Sequence, residues 1–319
     1  MKRALICGIS GQDGALLASL LLKKGYRVTG TTRQDPKSRF DNLSRLGIRD
    51  RVVIRMVPEN DDTGIRQMLA DEIPDEIYYL AGQSSVARSF EKPEETFQSI
   101  AAGSAGLLAA VQELKFSTRV FMAGSGDMFG NLNGTPAAES TPPNPVSPYG
   151  EARAAAFRHT RTFRETFGFF ACTGILFNHE SCLRPEWFVT RKIVRTACDI
   201  ARGRCRELVL GNLEIARDWG WAPEYVSAMW QMLQQDIPED FVIATGITLS
   251  LKEFVKTVFD RLDLDWRTYV KTDKRFYRPA DIPVMMADPS RARQALGWQA
   301  RYTGYDVAGL MTAAELDSV

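Results

Sequence analysis

The sequence predicts an α/β protein built on a doubly wound parallel sheet, with a smaller C-terminal lobe. Three observations predict it. Short apolar runs alternate with helix-like stretches through the first half of the chain. The first run leads into a glycine-rich loop that opens a helix. After residue 176 the alternation breaks down, as expected where a second lobe closes over the sheet.

Taken in order, residues 3–8 (RALICG) read as a buried strand and 14–25 as a helix with Gly25 at its end. Strands follow at 26–31, 52–57, 76–80 and 119–124, with helical stretches at 65–71 and 95–114. Residues 134–148 form a Pro-rich loop, 150–167 a helix and 170–176 a sixth strand. Residues 178–220 read as loops around an Arg-rich helix at 188–203. A short strand (241–245) and a helix (250–261) come next, and the tail ends in a helix near 289–296.

The 319 residues carry a formal net charge of +1, with 45% hydrophobic and 25% charged residues. That is an ordinary globular balance, with no field to steer nucleic acid or an anionic membrane. An anionic ligand must therefore be held by local cations. The five cysteines are odd in number and lack CxxC spacing, and there are two histidines, so neither a disulfide framework nor a metal site is expected. The start MKRALICGIS lacks a signal-peptide pattern, and no apolar run is long enough to span a bilayer. The expected location is cytoplasmic.

Gly8-Ile9-Ser10-Gly11-Gln12-Asp13-Gly14 is a GxxGxxG loop between strand and helix. Its glycines let the backbone turn tightly and approach a pyrophosphate at a helix N-terminus, the Rossmann arrangement for a dinucleotide. At the end of the second strand an acid would grip a ribose 2′-hydroxyl; Arg33 instead suits a 2′-phosphate, so NADP is expected over NAD. Tyr149 and Arg153 are four residues apart at a helix start and share one face. The cation can favour the phenolate and hold the cofactor ribose. Ser125 and Asp127 close the fifth strand, where a hydroxyl can bind a substrate hydroxyl and a carboxylate can act as base.

The chain resembles the extended short-chain dehydrogenase/reductases that modify nucleotide sugars, and within them the GDP-mannose 4,6-dehydratases. The segments that carry the resemblance are GISGQDG (8–14), LAGQSSVARSFEKP (80–93), SPYG (147–150), GILFNHES (174–181) and FVTRKI (188–193). They continue with LGNLEIARDWGWAPEYVSAMWQMLQQD (210–236), FVIATG (241–246), RPADIP (278–283) and DPSRARQALGW (288–298). The resemblance implies that Gly8, Ser10, Gly11, Gln12, Asp13, Gly14 and Arg33 hold NADP. Leu80, Ala81, Gln83, His179 and Arg184 join them, with Tyr149 and Arg153. It implies that Ser84, Asn178, Lys192, Arg217 and Arg278 hold GDP-mannose or a related GDP-sugar. Residues 1–176 would form the NADP-binding domain, with a return near 213–246, and 177–319 mainly the GDP-sugar lobe. The implied assembly is a homodimer or homotetramer. The implied chemistry oxidises C4, eliminates water across C5–C6 and returns hydride to C6, with Ser125, Asp127, Tyr149 and Arg153 in the catalytic roles.

Five positions depart from the family pattern. Its Thr-Ser-Glu is Ser125-Gly126-Asp127 here, and its helix Lys is Arg153. Asp for Glu shortens the carboxylate arm by about 1.5 Å, when a misplacement of ~1 Å can cost ~100-fold. Arg keeps the charge but presents a planar fork. The acid expected after the third strand falls at Pro58, leaving Glu59 or Asn60 as substitutes beside adenine. Two other readings stay open: a GDP-4-keto-6-deoxy-hexose reductase, and a weakened GDP-sugar-binding protein that regulates an active relative.

Overall fold

The computed structural model describes residues 1–33, 40–57, 61–277 and 280–317. Pro58, Glu59, Asn60, Arg278 and most of the loop after Arg33 (34–39) lie outside the described residues.

The first half alternates as expected: β1 (Arg3–Cys7), α1 (Gln12–Lys23), β2 (Arg27–Thr32), a short α2 (Asp41–Arg45), β3 (Val53–Met56), α3 (Asp62–Glu72) and β4 (Glu76–Tyr79). Then come α4 (Val86–Glu91), α5 (Pro93–Phe97), one π turn (Gln98–Ala102), α6 (Gly103–Leu114), β5 (Arg119–Ser125), α7 (Pro148–Phe167) and β6 (Phe170–Leu176). Beyond them lie β7 (Asn178–Glu180), α8 (Val189–Ala201), β8 (Leu208–Leu210), β9 (Ala216–Trp221), α9 (Ala222–Met232) and β10 (Phe241–Ile243). The chain ends with β11 (Thr248–Ser250), α10 (Leu251–Asp260), α11 (Trp266–Tyr269), β12 (Val270–Thr272), α12 (Ser290–Leu296) and α13 (Gly304–Asp317).

Seven parallel strands form the main sheet in the order β10-β6-β5-β4-β1-β2-β3. Helices cover both faces, so the strands are buried on both and read as continuous apolar runs. Leu5, Ile77 and Val120 pack toward α3 and α6 with Leu69 and Leu107. Their neighbours Ile6, Tyr78 and Phe121 point the other way, toward α1 and α9 with Leu17 and Met229. A three-stranded sheet (β11-β9-β7) and a parallel pair (β12-β8) build the second lobe. Its core joins Ile193, Val194, Phe254, Val258 and Met311.

Several boundaries move for local reasons. α1 starts at Gln12, two residues early, because extended Gly11 (φ −71°, ψ 172°) caps it. α7 starts at Pro148: the Ser147 hydroxyl accepts from the Gly150 amide at 3.0 Å, and proline suits a first helical position. The region 178–220 is not mainly loop. It holds β7, β8 and β9, whose lengths of three to six residues leave no period to detect. The helix at 290–296 is not the last, since α13 follows it and buries Val307, Ala308 and Met311. Ala292 and Trp298 share a core with Ile6 and Leu21, so the chain crosses back to the main sheet late.

Candidate active site

The glycine loop sits at the carboxyl end of β1. Gly8 has φ +88°, a conformation open to glycine, and its amide donates to the Thr31 carbonyl at 3.1 Å. A Cβ on Gly14 would collide with the Gly8 carbonyl oxygen and lie 2.7 Å from Ile9 Cα. We expect Gly14→Ala to lower stability by ~1–3 kcal/mol through overpacking. A denaturant melt with an unchanged midpoint would contradict this packing. No side chain caps the start of α1, so its first amides remain available to an anion.

Gln12 and Asp13 tie this loop to β7. Gln12 Nε2 donates to the His179 carbonyl at 3.2 Å, and Ser181 Oγ donates to Gln12 Oε1 at 2.8 Å. Ser10 is braced through its carbonyl, which accepts from Asn42 Nδ2 at 3.1 Å. The two His179 ring nitrogens face the Phe177 carbonyl at 2.7 Å and Asp13 Oδ2 at 2.9 Å, so only the doubly protonated ring satisfies both. The ring stacks on Tyr225 with centroids 4.6 Å apart. Burial pushes the Asp13 carboxyl up, but the charge and hydrogen bond of His179, then Arg184, outweigh it and bring it down to about 2. Burial pulls His179 the opposite way, and Asp13 reverses it, so the imidazolium persists above the usual histidine range.

A cleft opens between the carboxyl edge of the main sheet and the second lobe. It holds about 1310 Å³ of empty space, its open mouth included. Asp13 and Leu80 line it on the loop side, and Ser125, Asp127, Tyr149 and Arg153 line its floor. Arg153 Nε donates to the Tyr149 hydroxyl at 3.2 Å and Nη1 to the Ala123 carbonyl at 2.8 Å, so β5 holds the cation beneath the phenol. Both residues are at least nine-tenths buried. Ser125 Oγ donates to Asp127 Oδ2 at 3.1 Å and accepts from the Asp127 amide at 3.2 Å. The single hydroxyl proton of Ser125 is therefore directed at Asp127.

Ser84, Asn178, His179, Arg184 and Arg217 line the opposite side. Arg217 Nη2 pairs with Asp281 at 3.1 Å, and Arg184 Nε with buried Glu180 at 3.1 Å. Gln83, Ala81, Lys192 and Arg33 do not line this cleft. The Gln83 amide is spent on the Ser85 carbonyl and the Thr96 hydroxyl. Ala81 backs against Gly8. Lys192 points to β8, where its ammonium donates to the Val209 carbonyl at 2.7 Å and burial lowers its pKa. Arg33 is exposed just after β2.

Sequence reasoning missed Glu180, Asn42 and Thr190. Thr190 stands in the first turn of α8, faces the cleft, and its buried hydroxyl has no hydrogen-bond partner among the described residues. Nothing in its local sequence separates it from an ordinary helix threonine. Among the described residues no group of three His, Cys, Asp or Glu side chains could hold a metal ion, and no helix is long and apolar enough to cross a membrane.

A family model described as GDP-mannose 4,6 dehydratase matches residues 5–311. The chain belongs to that family. It is 40% identical to GDP-mannose 4,6 dehydratase 2 of Arabidopsis thaliana, covering 99% of this chain and 87% of that one. It is 39% identical to the GDP-mannose 4,6-dehydratase of Yersinia enterocolitica, covering 99% and 94%. Among solved structures, a dTDP-glucose 4,6-dehydratase of Streptomyces venezuelae superposes with a TM-score of 0.87 over 99% of this chain and 97% of that one, at 19% identity. The likeness to that structure is one of fold.

Proposed function

We propose that this protein is an NADP-dependent GDP-mannose 4,6-dehydratase that converts GDP-mannose to GDP-4-keto-6-deoxy-mannose and water. The observation that carries the reading is the convergence of Tyr149, Arg153, Ser125 and Asp127 on the cleft into which the glycine loop opens at Asp13. Membership of the dehydratase family supports the substrate. Gly8 at φ +88°, Gly14 packed directly on the Gly8–Ile9 backbone, and the uncapped start of α1 give the tight strand–loop–helix turn that suits a pyrophosphate. Arg33 at the end of β2 favours NADP. In this reading Asn178 and Arg217 bind the sugar diphosphate with the first turn of α8, which has no side-chain cap and no acidic residue. The orphaned Thr190 hydroxyl finds its partner there. In this reading the protein works in the cytoplasm, and the family resemblance implies a homodimer or homotetramer.

Bound NADP⁺ supplies a hydride acceptor at C4 and, once reduced, a hydride donor at C6. Tyr149 acts as the tyrosinate: its oxygen, which Arg153 Nε contacts as a donor, takes the C4 hydroxyl proton and becomes the neutral phenol. Ser125 turns its proton from Asp127 to the C4 oxygen. Asp127, relieved of that bond, takes the C5 proton that the new carbonyl acidifies and delivers it to the departing C6 hydroxyl as water. The proton on Tyr149 is then available to restore C5.

Incubation with GDP-mannose and a catalytic amount of NADP⁺ is expected to yield a product lighter by one water, seen by mass spectrometry, with no net change in NADPH. Stoichiometric NADPH oxidation with a keto sugar would instead make the protein a C4 reductase. Binding without turnover, with turnover recovered in Asp127→Glu plus Arg153→Lys, would make it a regulatory relative.

A further inference from the structure

A second pocket opens at the other end of the glycine loop. About 500 Å³ of empty space lies between the carboxyl ends of β1, β2 and β4 and the π turn after α5. Cys7, Thr31, Tyr79, Val57, Gln98 and Ser99 contribute to its walls. A mostly apolar slot beside the end of β2 suits the adenine of a dinucleotide in this fold.

Charged residues lie close to these walls along the chain. Arg33 follows Thr31 by two residues, and Glu95 precedes Gln98 by one helical turn. The Glu95 carboxylate is held by Arg88 Nη2 at 2.6 Å and by Lys92 Nζ at 3.2 Å. Hydrogen bonding to Lys92 is foremost in holding its carboxyl below the usual range, and the charge of Arg33 also reaches it. Two cations thus hold one carboxylate a helical turn away from Gln98 in the wall of this slot. Arg88 and Lys92 are largely exposed, and exposed ion pairs add little stability, so fold stability does not account for placing both on one acid.

We propose that Arg88 and Lys92 join Arg33 in binding the adenosine 2′-phosphate, and that Glu95 occupies the two cations until that phosphate arrives. The proposal rests on the NADP reading above. A ribose phosphate brings more charge than a carboxylate and three acceptor oxygens, so it displaces Glu95 from the pair. NAD has no such group and leaves the ion pairs intact. Discrimination between the two cofactors therefore comes from α4 and the α4–α5 junction as well as from Arg33. Glu95 sets its strength by competing for the same cations.

Calorimetric titration at one fixed salt concentration tests this with NADP⁺ and NAD⁺ on the full chain, and with 2′,5′-ADP against 5′-AMP for the adenosine end alone. Arg88→Ala combined with Lys92→Ala is expected to weaken NADP⁺ and 2′,5′-ADP by about 10–100-fold, as for losing charge-assisted hydrogen bonds, and to leave NAD⁺ and 5′-AMP within about twofold. Glu95→Gln is expected to tighten NADP⁺ several-fold without changing NAD⁺. A thermal melt checks that each variant is folded. NADP⁺ affinity unchanged in the double variant, equal weakening of both cofactors, or weaker NADP⁺ binding by Glu95→Gln each overturns the proposal while the NADP reading stands. A wild-type protein that binds neither dinucleotide overturns both.

Discussion

Replacing Tyr149 with Phe is expected to lower turnover of GDP-mannose by about 10²–10⁴-fold, the range for removing a positioned acid–base group. The ring stays, so packing against Ile100, Ala152 and Ala156 is kept. Arg153 loses its bond to the hydroxyl but retains the one to the Ala123 carbonyl. The unsatisfied donor costs no more than about 1–3 kcal/mol of stability. Initial rates and a thermal melt on the same preparation separate the two effects. A melt that collapses together with activity would mean that Tyr149 is structural.

Asp127→Asn is expected to stop the reaction after C4 oxidation, with a loss of product of similar size. An amide cannot take the C5 proton, yet it still offers Ser125 an acceptor oxygen, so the turn that follows β5 is preserved. Single-turnover absorbance should then show reduced cofactor accumulating without dehydrated sugar. Full product formation by this variant would remove Asp127 from the elimination. Asp127→Glu makes the opposite test. If the short arm limits the wild-type protein, the added methylene raises the rate, by as much as ~100-fold for a gain in reach of ~1 Å.

The main sheet was legible because its signals are local. The runs around Leu5, Ile77 and Phe121 are buried on both faces and stand out in the sequence, and the glycine loop fixes where the first one ends. The second lobe was not legible. β7, β8 and β11 have three residues each, and their pairing partners lie far along the chain. α13 buries small residues such as Ala308 beside Val307 and Met311, and so lacks a strong apolar stripe.

At the site, Tyr149 and Arg153 follow from helical spacing alone, and the structure adds that Ala123 anchors the cation. Asp13 and His179 are separated by 166 positions and come together only through the fold. The same holds for Gln12 and Ser181. Lys192 shows the reverse: the motif places it on α8, but its ammonium donates to the Val209 carbonyl and does not line the cleft.

The central claim is that one cleft oxidises C4 and reduces C6 of the same sugar. The most direct measurement uses GDP-mannose carrying deuterium at C4, unlabelled NADP⁺ and analysis of the product by NMR and mass spectrometry. The account predicts a 4-keto-6-deoxy product with the deuterium at C6 and none in the recovered cofactor. Deuterium retained in free NADPH, or a sugar that keeps its C6 hydroxyl, would contradict it.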